Sequence, residues 1–325
     1  MEATRIASIR PTEVGFVGHG LRRPECVQCT ATGDVFVSHF GGGVTRIRPD
    51  GSQQDILGPG DPVVATNGLA LTRTGDFLCA NLLPPGGVWR IDSRGRQSPF
   101  LLEVEGYSIP SANFVHIDRC DRVWITVSTR QEPRSLAYRA DVADGFIVLV
   151  DERGARIVAD ELGYTNEAKI HPGGDWLYVN ETFARRTSRF RIGGDGSLSE
   201  REVVARYGQG IFPDGLDFDE AGGLWITSVI SNRVLRMAPD GGRHMLLEEY
   251  DTNQLGVVEW AYKAGKLGRE HLDHIHTEVL KSVSSIAFGG PDRKTVYLGN
   301  LLDDRIYTFA SSIAGAEPPH WRFET

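Results

Sequence analysis

The chain has 325 residues, of which 40% are hydrophobic and 24% charged, and its formal net charge at pH 7 is −8. This is the composition of an ordinary globular protein with enough residues for a large core, and length alone favours about two domains. Because the net charge is negative and no block of like charge occurs, neither nucleic acid nor an anionic membrane is expected as a partner.

The first residues, MEATRIASIRPTEV, contain no apolar run typical of a signal peptide. No window of the chain approaches the roughly 18 apolar residues of a membrane-spanning helix. We therefore expect a cytoplasmic protein with no membrane partner. The cysteines fit free, buried thiols, because the pair Cys26 and Cys29 lacks the further cysteines or histidine that would complete a zinc site.

One short pattern recurs six times without gaps. Its copies are ECVQCTATGD, NGLALTRTGD, NFVHIDRCDR, NEAKIHPGGD, DGLDFDEAGG and SSIAFGGPDR. The positions two and four residues after the head of each copy are apolar, and a turn follows at the same offset. This alternation predicts a strand with one packed face in every copy.

Further strands follow each turn. DVFVSH and GLWITS are second strands, VTRIRPDG is a third, and QDILG is a weaker fourth. Four antiparallel strands per unit, at a spacing of roughly 40–50 residues, predict an all-β fold, a six-bladed β-propeller formed by one domain over residues 1–325. The last unit lacks its own outer strand, so we expect the N-terminal segment around Ile6–Val14 to close the ring.

The interval between the fifth and sixth copies is longer than the others. Residues 251–283 have partly helical patterning and apolar groups that no blade pattern uses, such as Trp260 and Tyr262. Long ordered loops in compact domains are usually lids or binding loops. We expect this insertion to wall a pocket at one mouth of the channel; the alternative is a decoration on the outer edge of a blade.

The heads of the six copies are expected to form a ring, because the first strand of every propeller blade lines the central channel. The ring consists of Glu25, Asn67, Asn113, Asn166, Asp214 and Ser284. Carboxylate and amide oxygens that converge on one axis repel each other or lie desolvated unless a cation joins them. Oxygen ligands favour Ca²⁺, with Mg²⁺, Mn²⁺, Zn²⁺ or Fe²⁺ as alternatives. The simpler explanation is that Asn, Asp and Ser favour strand starts and turns.

The second strands end at the same mouth and supply a polar rim. Its members include His39, Asn81 and Glu181, which together with Asn67 are candidates for substrate contact or catalysis. A solvated loop would also be polar, so both interpretations stay open. Glu167 is the only charged residue in its column of the repeat, and it could be a metal ligand, a base or the partner of an arginine. We also expect it, together with Arg130 at the end of a second strand, to contact the substrate.

At these residues the chain resembles the senescence marker protein/gluconolactonase family, six-bladed propellers that hold one divalent ion in the channel. The resemblance extends from PECVQC to SSIAFGG. It implies that the metal ligands are Glu25, Asn113, Asn166 and Asp214. Two positions depart from the family: Ser111 replaces a frequent arginine, for which Arg130 could substitute, and Glu167 replaces a glycine. These departures weigh against an aldonolactone such as gluconolactone as substrate and do not affect the metal site.

The ring and the resemblance together predict a metal-dependent hydrolase of a small lactone or related ester. In such an enzyme the ion polarises the carbonyl and stabilises the oxyanion. The resemblance implies Asp214 as the base that activates water, and His39 and Glu181 are alternatives. Two rival functions stay open: hydrolysis of a phosphotriester or fluorophosphate, and a non-catalytic propeller with structural Ca²⁺ whose mouth binds a partner.

Overall fold

The computed structural model describes residues 7–58 and 60–323. Within them the chain forms six four-stranded antiparallel sheets, and the innermost strands of successive sheets contact each other in a closed cycle. The predicted six-bladed β-propeller is therefore confirmed.

Strands are numbered in chain order, and β1 (Gly15–Val17) belongs to the last blade. Blade 1 contains β2 (Val27–Cys29), β3 (Val35–His39), β4 (Gly43–Ile47) and β5 (Gln53–Leu57). Blade 2 contains β6 (Thr66–Leu71), β7 (Phe77–Asn81), β8 (Val88–Ile91) and β9 (Gln97–Leu101). A hairpin of β10 (Glu103–Val104) and β11 (Tyr107–Ser108) leads to blade 3, which contains β12 (Ala112–Ile117), β13 (Val123–Val127), β14 (Gly145–Asp151) and β15 (Gly154–Leu162).

Blade 4 contains β16 (Thr165–Ile170), β17 (Trp176–Glu181), β18 (Arg186–Ile192) and β19 (Leu198–Arg206). Blade 5 contains β20 (Phe212–Phe218), β21 (Leu224–Val229), β22 (Arg233–Met237) and β23 (Arg243–Glu248). The insertion forms α1 (Thr252–Lys263) and α2 (Glu270–Asp273). Blade 6 contains β24 (Val283–Gly289), β25 (Thr295–Asn300) and β26 (Ile306–Ala310), and 3₁₀ helices span Pro11–Glu13 and Arg134–Ala137.

The N-terminal segment closes the ring, but with later residues than the sequence predicted. β1 pairs antiparallel with β26, and Val17 lies opposite Ile306. The predicted strand around Ile6–Val14 is wrong in position, because Pro11 begins a 3₁₀ helix there; Ile6 itself lies outside the described residues. Proline has no N–H for a strand ladder and suits the first turn of a helix.

The heads of the blades lie where strand pairing is irregular. In five of the six blades the register between the first and second strands shifts at the head, as between Pro213 and Leu216 in blade 5. A bulge of this kind takes a residue out of the regular alternation and redirects its side chain. The irregular pairing therefore lets Asp214 and its counterparts turn towards the channel.

The four cysteines are free, and three of them are buried as expected, whereas Cys120 is exposed in a turn. Among the described residues, no helix is both long and apolar enough to cross a membrane.

The turns at the other end of the inner strands are stabilised by buried carboxylates. Asp219 in blade 5 accepts hydrogen bonds from Trp225 Nε1 at 2.8 Å and from Arg236 Nε at 2.6 Å, and it is fully buried. Asp118 forms the same contacts in blade 3, with Trp124 and Arg122. Such a carboxylate ties the turn to the second strand of its own blade.

We expect Asp219→Ala to lower the free energy of unfolding by about 3–5 kcal/mol, because it leaves the buried guanidinium of Arg236 without its anion. Urea unfolding monitored by tryptophan fluorescence measures this loss. Asp121→Asn is the control, since Asp121 pairs with Arg73 on the surface, where both side chains are more than half exposed. That change should cost less than about 1 kcal/mol. Equal losses in the two variants would contradict this account of the turn.

Candidate metal centre and active-site cavity

The heads of the blades meet around a small cavity at one mouth of the channel. Its lining includes Asn67 and all four predicted ligands, Glu25, Asn113, Asn166 and Asp214. The sixth head, Ser284, instead donates a hydrogen bond to the backbone carbonyl of Glu25 at 2.8 Å. In the described part of the chain, no three His, Cys, Asp or Glu side chains group in a way that could hold a metal; the set at this mouth combines two carboxylates with amides.

Two asparagine amides in the ring are held in one orientation. Asn113 Nδ2 donates to Ser128 Oγ at 3.0 Å, and Asn166 Nδ2 donates to Thr182 Oγ1 at 3.1 Å. Each hydroxyl in turn donates a hydrogen bond to a backbone carbonyl oxygen, at 2.9 Å for Ser128 and 2.8 Å for Thr182. A hydroxyl has one proton, so it accepts from the amide NH₂ and leaves the amide oxygen free.

The free oxygens of the ring have no hydrogen-bond donor. One buried side-chain oxygen from each predicted ligand lacks a partner among the described residues, namely Glu25 Oε2, Asn113 Oδ1, Asn166 Oδ1 and Asp214 Oδ1. A buried acceptor left unpaired costs about 1–3 kcal/mol. Hard divalent cations bind such oxygens. The residues present at this mouth therefore fit an oxygen-liganded divalent ion.

The two carboxylates of the ring are poorly accommodated as a pair of anions. Burial raises the pKa of Glu25, and the charge of Asp214 raises it further. Burial also raises the pKa of Asp214, and Glu167 adds to the effect. Desolvation and like charge both disfavour the ionised form, and a nearby cation would act in the opposite direction.

Asn67 lines the cavity, but both ends of its side-chain amide are hydrogen-bonded to other residues of the protein. Its Oδ1 accepts from Arg23 Nη1 at 2.9 Å, and its Nδ2 donates to Glu25 Oε1 at 3.0 Å. Asn67 thus offers the ring an N–H group and fixes the position of the Glu25 carboxylate.

The structure does not bring His39 or Asn81 into the lining of the cavity. His39 Nδ1 accepts from the backbone N–H of Gly41 at 3.0 Å, and its Nε2 lies 3.9 Å from Asp55 Oδ2. Burial lowers the pKa of His39. Asn81 Oδ1 accepts from the backbone of Ala65 at 2.9 Å, so its side chain shapes a neighbouring loop. Both residues end second strands, one strand further from the channel axis than the heads.

Glu181 and Arg130 are also absent from the cavity lining and form ion pairs elsewhere. Glu181 is fully buried and accepts from Arg186 Nε at 2.7 Å and Nη2 at 2.6 Å. Burial raises the pKa of Glu181, but hydrogen bonds led by that of Arg186 outweigh it and hold the pKa below its usual value. Arg130 forms a forked pair with Asp160 at 2.8 and 2.9 Å.

Glu167 is buried beside the ring without lining the cavity. Its Oε2 accepts from the backbone N–H of Leu216 at 3.1 Å, whereas its Oε1 lacks a partner among the described residues. Burial raises its pKa to about 8, and Lys169 opposes that shift. The nearby cation is thus a lysine, where the sequence analysis allowed for an arginine.

Three arginines that line the cavity were not predicted from the sequence: Arg23, Arg134 and Arg269. The pKa of Arg23 is lowered to about 10, mainly by burial and in smaller part by the charges of Arg134 and Arg269, whereas Glu25 opposes the shift. One signal was available for Arg134, since the connection between β13 and β14 is much longer than the corresponding connection in any other blade. Arg23 and Arg269 lie outside the repeats, and no alignment of blades marks them.

The insertion lies against the cavity. Arg269, directly before its second helix, and Leu272 of that helix belong to the lining. The propeller adds the aromatic residues Tyr138, Tyr164 and Phe183. The first helix is fixed by Arg185, whose guanidinium lies 3.9 Å from the ring centre of Tyr262 and pairs with Glu259 at 2.6 Å. Part of the insertion therefore borders the site, and its first helix is anchored to blade 4.

Comparison with known proteins identifies a matching family model and a related enzyme. Residues 65–253 match the family model described as the SMP-30/Gluconolactonase/LRE-like region. A 6-deoxy-6-sulfogluconolactonase from Pseudomonas putida is 26% identical over 239 residues, which cover 72% of this chain and 68% of that protein.

Two solved structures show the same fold. A gluconolactonase from Xanthomonas campestris has a TM-score of 0.68 at 18% identity, covering 95% of this chain and 96% of that chain. The calcium-binding protein regucalcin from Agrobacterium tumefaciens has a TM-score of 0.69 at 15% identity, covering 98% and 99%. Because the family model matches more than half of the chain, the protein belongs to the SMP-30/gluconolactonase/LRE-like family.

Proposed function

We propose that this protein is a metal-dependent hydrolase that opens a small lactone or a related ester. The proposal is carried by the unpartnered oxygens that Glu25, Asn113, Asn166 and Asp214 direct to one cavity. The names of the gluconolactonase and sulfogluconolactonase relatives support lactone opening as the reaction class.

Glu25, Asn113, Asn166 and Asp214 would hold the ion. A divalent cation bound there supplies a Lewis acid for the carbonyl of the substrate. Ca²⁺ suits an all-oxygen set best, and regucalcin, a structural neighbour, is by name calcium-binding. Mg²⁺, Mn²⁺, Zn²⁺ and Fe²⁺ are the alternatives.

Asp214 is the proposed base. It lines the cavity, and one of its oxygens lacks a donor. A carboxylate in this position can accept a proton from the attacking water. His39 and Glu181 are weaker candidates, because each is engaged by other residues away from the cavity.

The second helix of the insertion is proposed to act as a lid. The cavity has a volume of about 40 Å³, so admission of a lactone ring is proposed to involve movement of its wall. The first helix is held by the contacts of Arg185 with Glu259 and Tyr262, whereas α2 presents Leu272 to the cavity from a four-residue helix. Closure over the substrate would exclude water from the ester.

We expect calorimetry on metal-free protein to show one Ca²⁺ bound per chain. Glu25→Gln and Asp214→Asn should each weaken binding by roughly 10-fold or more, because each removes an anionic ligand. Asp55→Asn is the control, since Asp55 lies beside His39 on another strand. Unchanged affinity in both ring variants, or a loss in the Asp55 variant alone, would contradict the ligand assignment.

The reaction is tested with a panel of γ- and δ-lactones and a second panel of phosphotriesters and fluorophosphates, each assayed with and without Ca²⁺. We expect metal-dependent ring opening, and a decrease in kcat of at least about 100-fold in Asp214→Asn at saturating metal. His39→Gln should retain turnover. If only phosphotriesters are hydrolysed, the rival enzyme is supported; if nothing in either panel is hydrolysed, the binding-module alternative is.

The lid is tested by replacing residues 268–274 with a Gly/Ser segment of equal length. The fold and Ca²⁺ affinity should persist because α1 stays anchored, whereas kcat/KM should decrease by roughly 10-fold or more as water enters the site. Val257→Ala, on the exposed face of α1, is the matched control. Kinetics identical to those of the parent protein would exclude a lid.

A further inference from the structure

Three arginines surround the cavity, and one of them has no partner. Arg23 donates to Asn67 Oδ1 at 2.9 Å, and Arg269 pairs with Asp273 at 2.7 Å. Arg134 also lines the cavity and is only partly exposed. Within the part of the chain that the structure describes, its guanidinium forms no hydrogen bond or ion pair. Burial lowers the pKa of Arg134, but the nearby Tyr164, Tyr138, Glu25 and Asp273 outweigh it and raise the pKa, so the group stays charged. Its N–H groups are therefore available to an anion from outside the chain.

The proposed metal does not supply that anion. The lining contains three arginines and two carboxylates, Glu25 and Asp214. The charges of the two carboxylates would balance one divalent ion. The guanidinium groups then carry surplus positive charge, even when the charge of Asp273 is counted against that of Arg269. An oxyanion formed at the lactone carbonyl would face the ion. The surplus positive charge therefore calls for a second negative group on the bound molecule.

The arginines approach from three separate segments. Arg23 precedes the first blade, and Arg134 begins a 3₁₀ helix that Ala137 and the neighbouring Tyr138 anchor in the core. Arg269 comes from the insertion, directly before α2. Guanidinium groups bind oxyanions through forked pairs of N–H donors. Donors from three segments match the three oxygens of a sulfonate or phosphate ester better than the two coplanar oxygens of a carboxylate.

We infer that the substrate is a lactone carrying a sulfonate or phosphate ester group away from its carbonyl, and that Arg23, Arg134 and Arg269 bind this group. The lactone part of the inference rests on the proposed function. Because Arg269 lies on the insertion and Arg134 on the propeller, the bound anion joins the two and favours the closed position of α2. Binding energy from a remote group is then used to assemble the site, which raises kcat/KM for the charged substrate.

The kinetic test uses δ-lactones of one six-carbon sugar acid that differ only at carbon 6. The sulfonate and phosphate forms should exceed the hydroxyl form in kcat/KM by at least about 100-fold. Arg134→Gln should lower kcat/KM for the charged lactones alone, and Arg134→Lys should restore part of it. Arg153→Gln, on an exposed turn of the same blade, is the matched control and should change neither. Unaltered circular dichroism and Ca²⁺ affinity would show that the Arg134 variants are folded.

A second test needs no turnover. Methanesulfonate titrated into metal-free and Ca²⁺-loaded protein should bind to the parent and to Arg153→Gln, and at least about 10-fold more weakly to Arg134→Gln. Free methanesulfonate should also accelerate opening of the hydroxyl lactone by the parent protein, because it occupies the anion site in trans.

The outcomes separate the two proposals. Equal turnover of charged and uncharged lactones by the parent protein would overturn the anion site and leave the lactonase. Methanesulfonate binding that depends on Arg134, without turnover of any lactone, would support the anion site and overturn the proposed function. Faster turnover of a carbon-6 carboxylate than of the sulfonate and phosphate would overturn the assignment of a tetrahedral anion.

Discussion

The structure depends on the convergence of oxygen atoms at one mouth of the propeller. Six first strands run in the same direction around one axis, so their heads must meet, and four of those heads direct an unpartnered buried oxygen inward. At about 1–3 kcal/mol for each unpaired acceptor, the arrangement opposes folding in the absence of a cation. The packing of the blades must outweigh that cost, and the unpaired oxygens are the feature on which the proposed metal site rests.

The hydrogen bonds that orient the candidate ligands also join neighbouring blades. Ser128, at the end of the second strand of blade 3, accepts from Asn113 and donates to the carbonyl of Thr165 in blade 4. Thr182 in blade 4 accepts from Asn166 and donates to Pro213 in blade 5. The orientation of each amide therefore depends on correct contact between two blades. A change that loosens one interface would misplace a ligand without touching it.

The repeats made the blades and five of the cavity residues predictable, because a strand alternation in register specifies both the sheet and its inner end. The rim was not predictable to the same degree. A strand end locates a residue, but whether its side chain turns to the channel or between strands depends on the neighbours it meets, and Glu181 meets Arg186 and Ser188. The closing strand was placed too early because the 3₁₀ helix at Pro11 was not foreseen. The arginines of the cavity were not predicted because they come from segments that do not repeat.

The repeating and non-repeating segments of the chain contribute opposite charges to the site. The repeating part of the chain supplies two carboxylates and two amide oxygens, whose total charge matches one divalent ion. The segments outside the repeat supply Arg23, Arg134 and Arg269, and with them the whole surplus of positive charge. Under the proposed function, the groups that act on the ester would lie in the blades, and the groups that select the substrate would lie in the segments outside the repeat. Loops on a rigid scaffold can change without loss of the core. Relatives with the same four oxygen-bearing residues are therefore expected to differ in substrate through the charges of these segments, while the proposed metal centre stays the same.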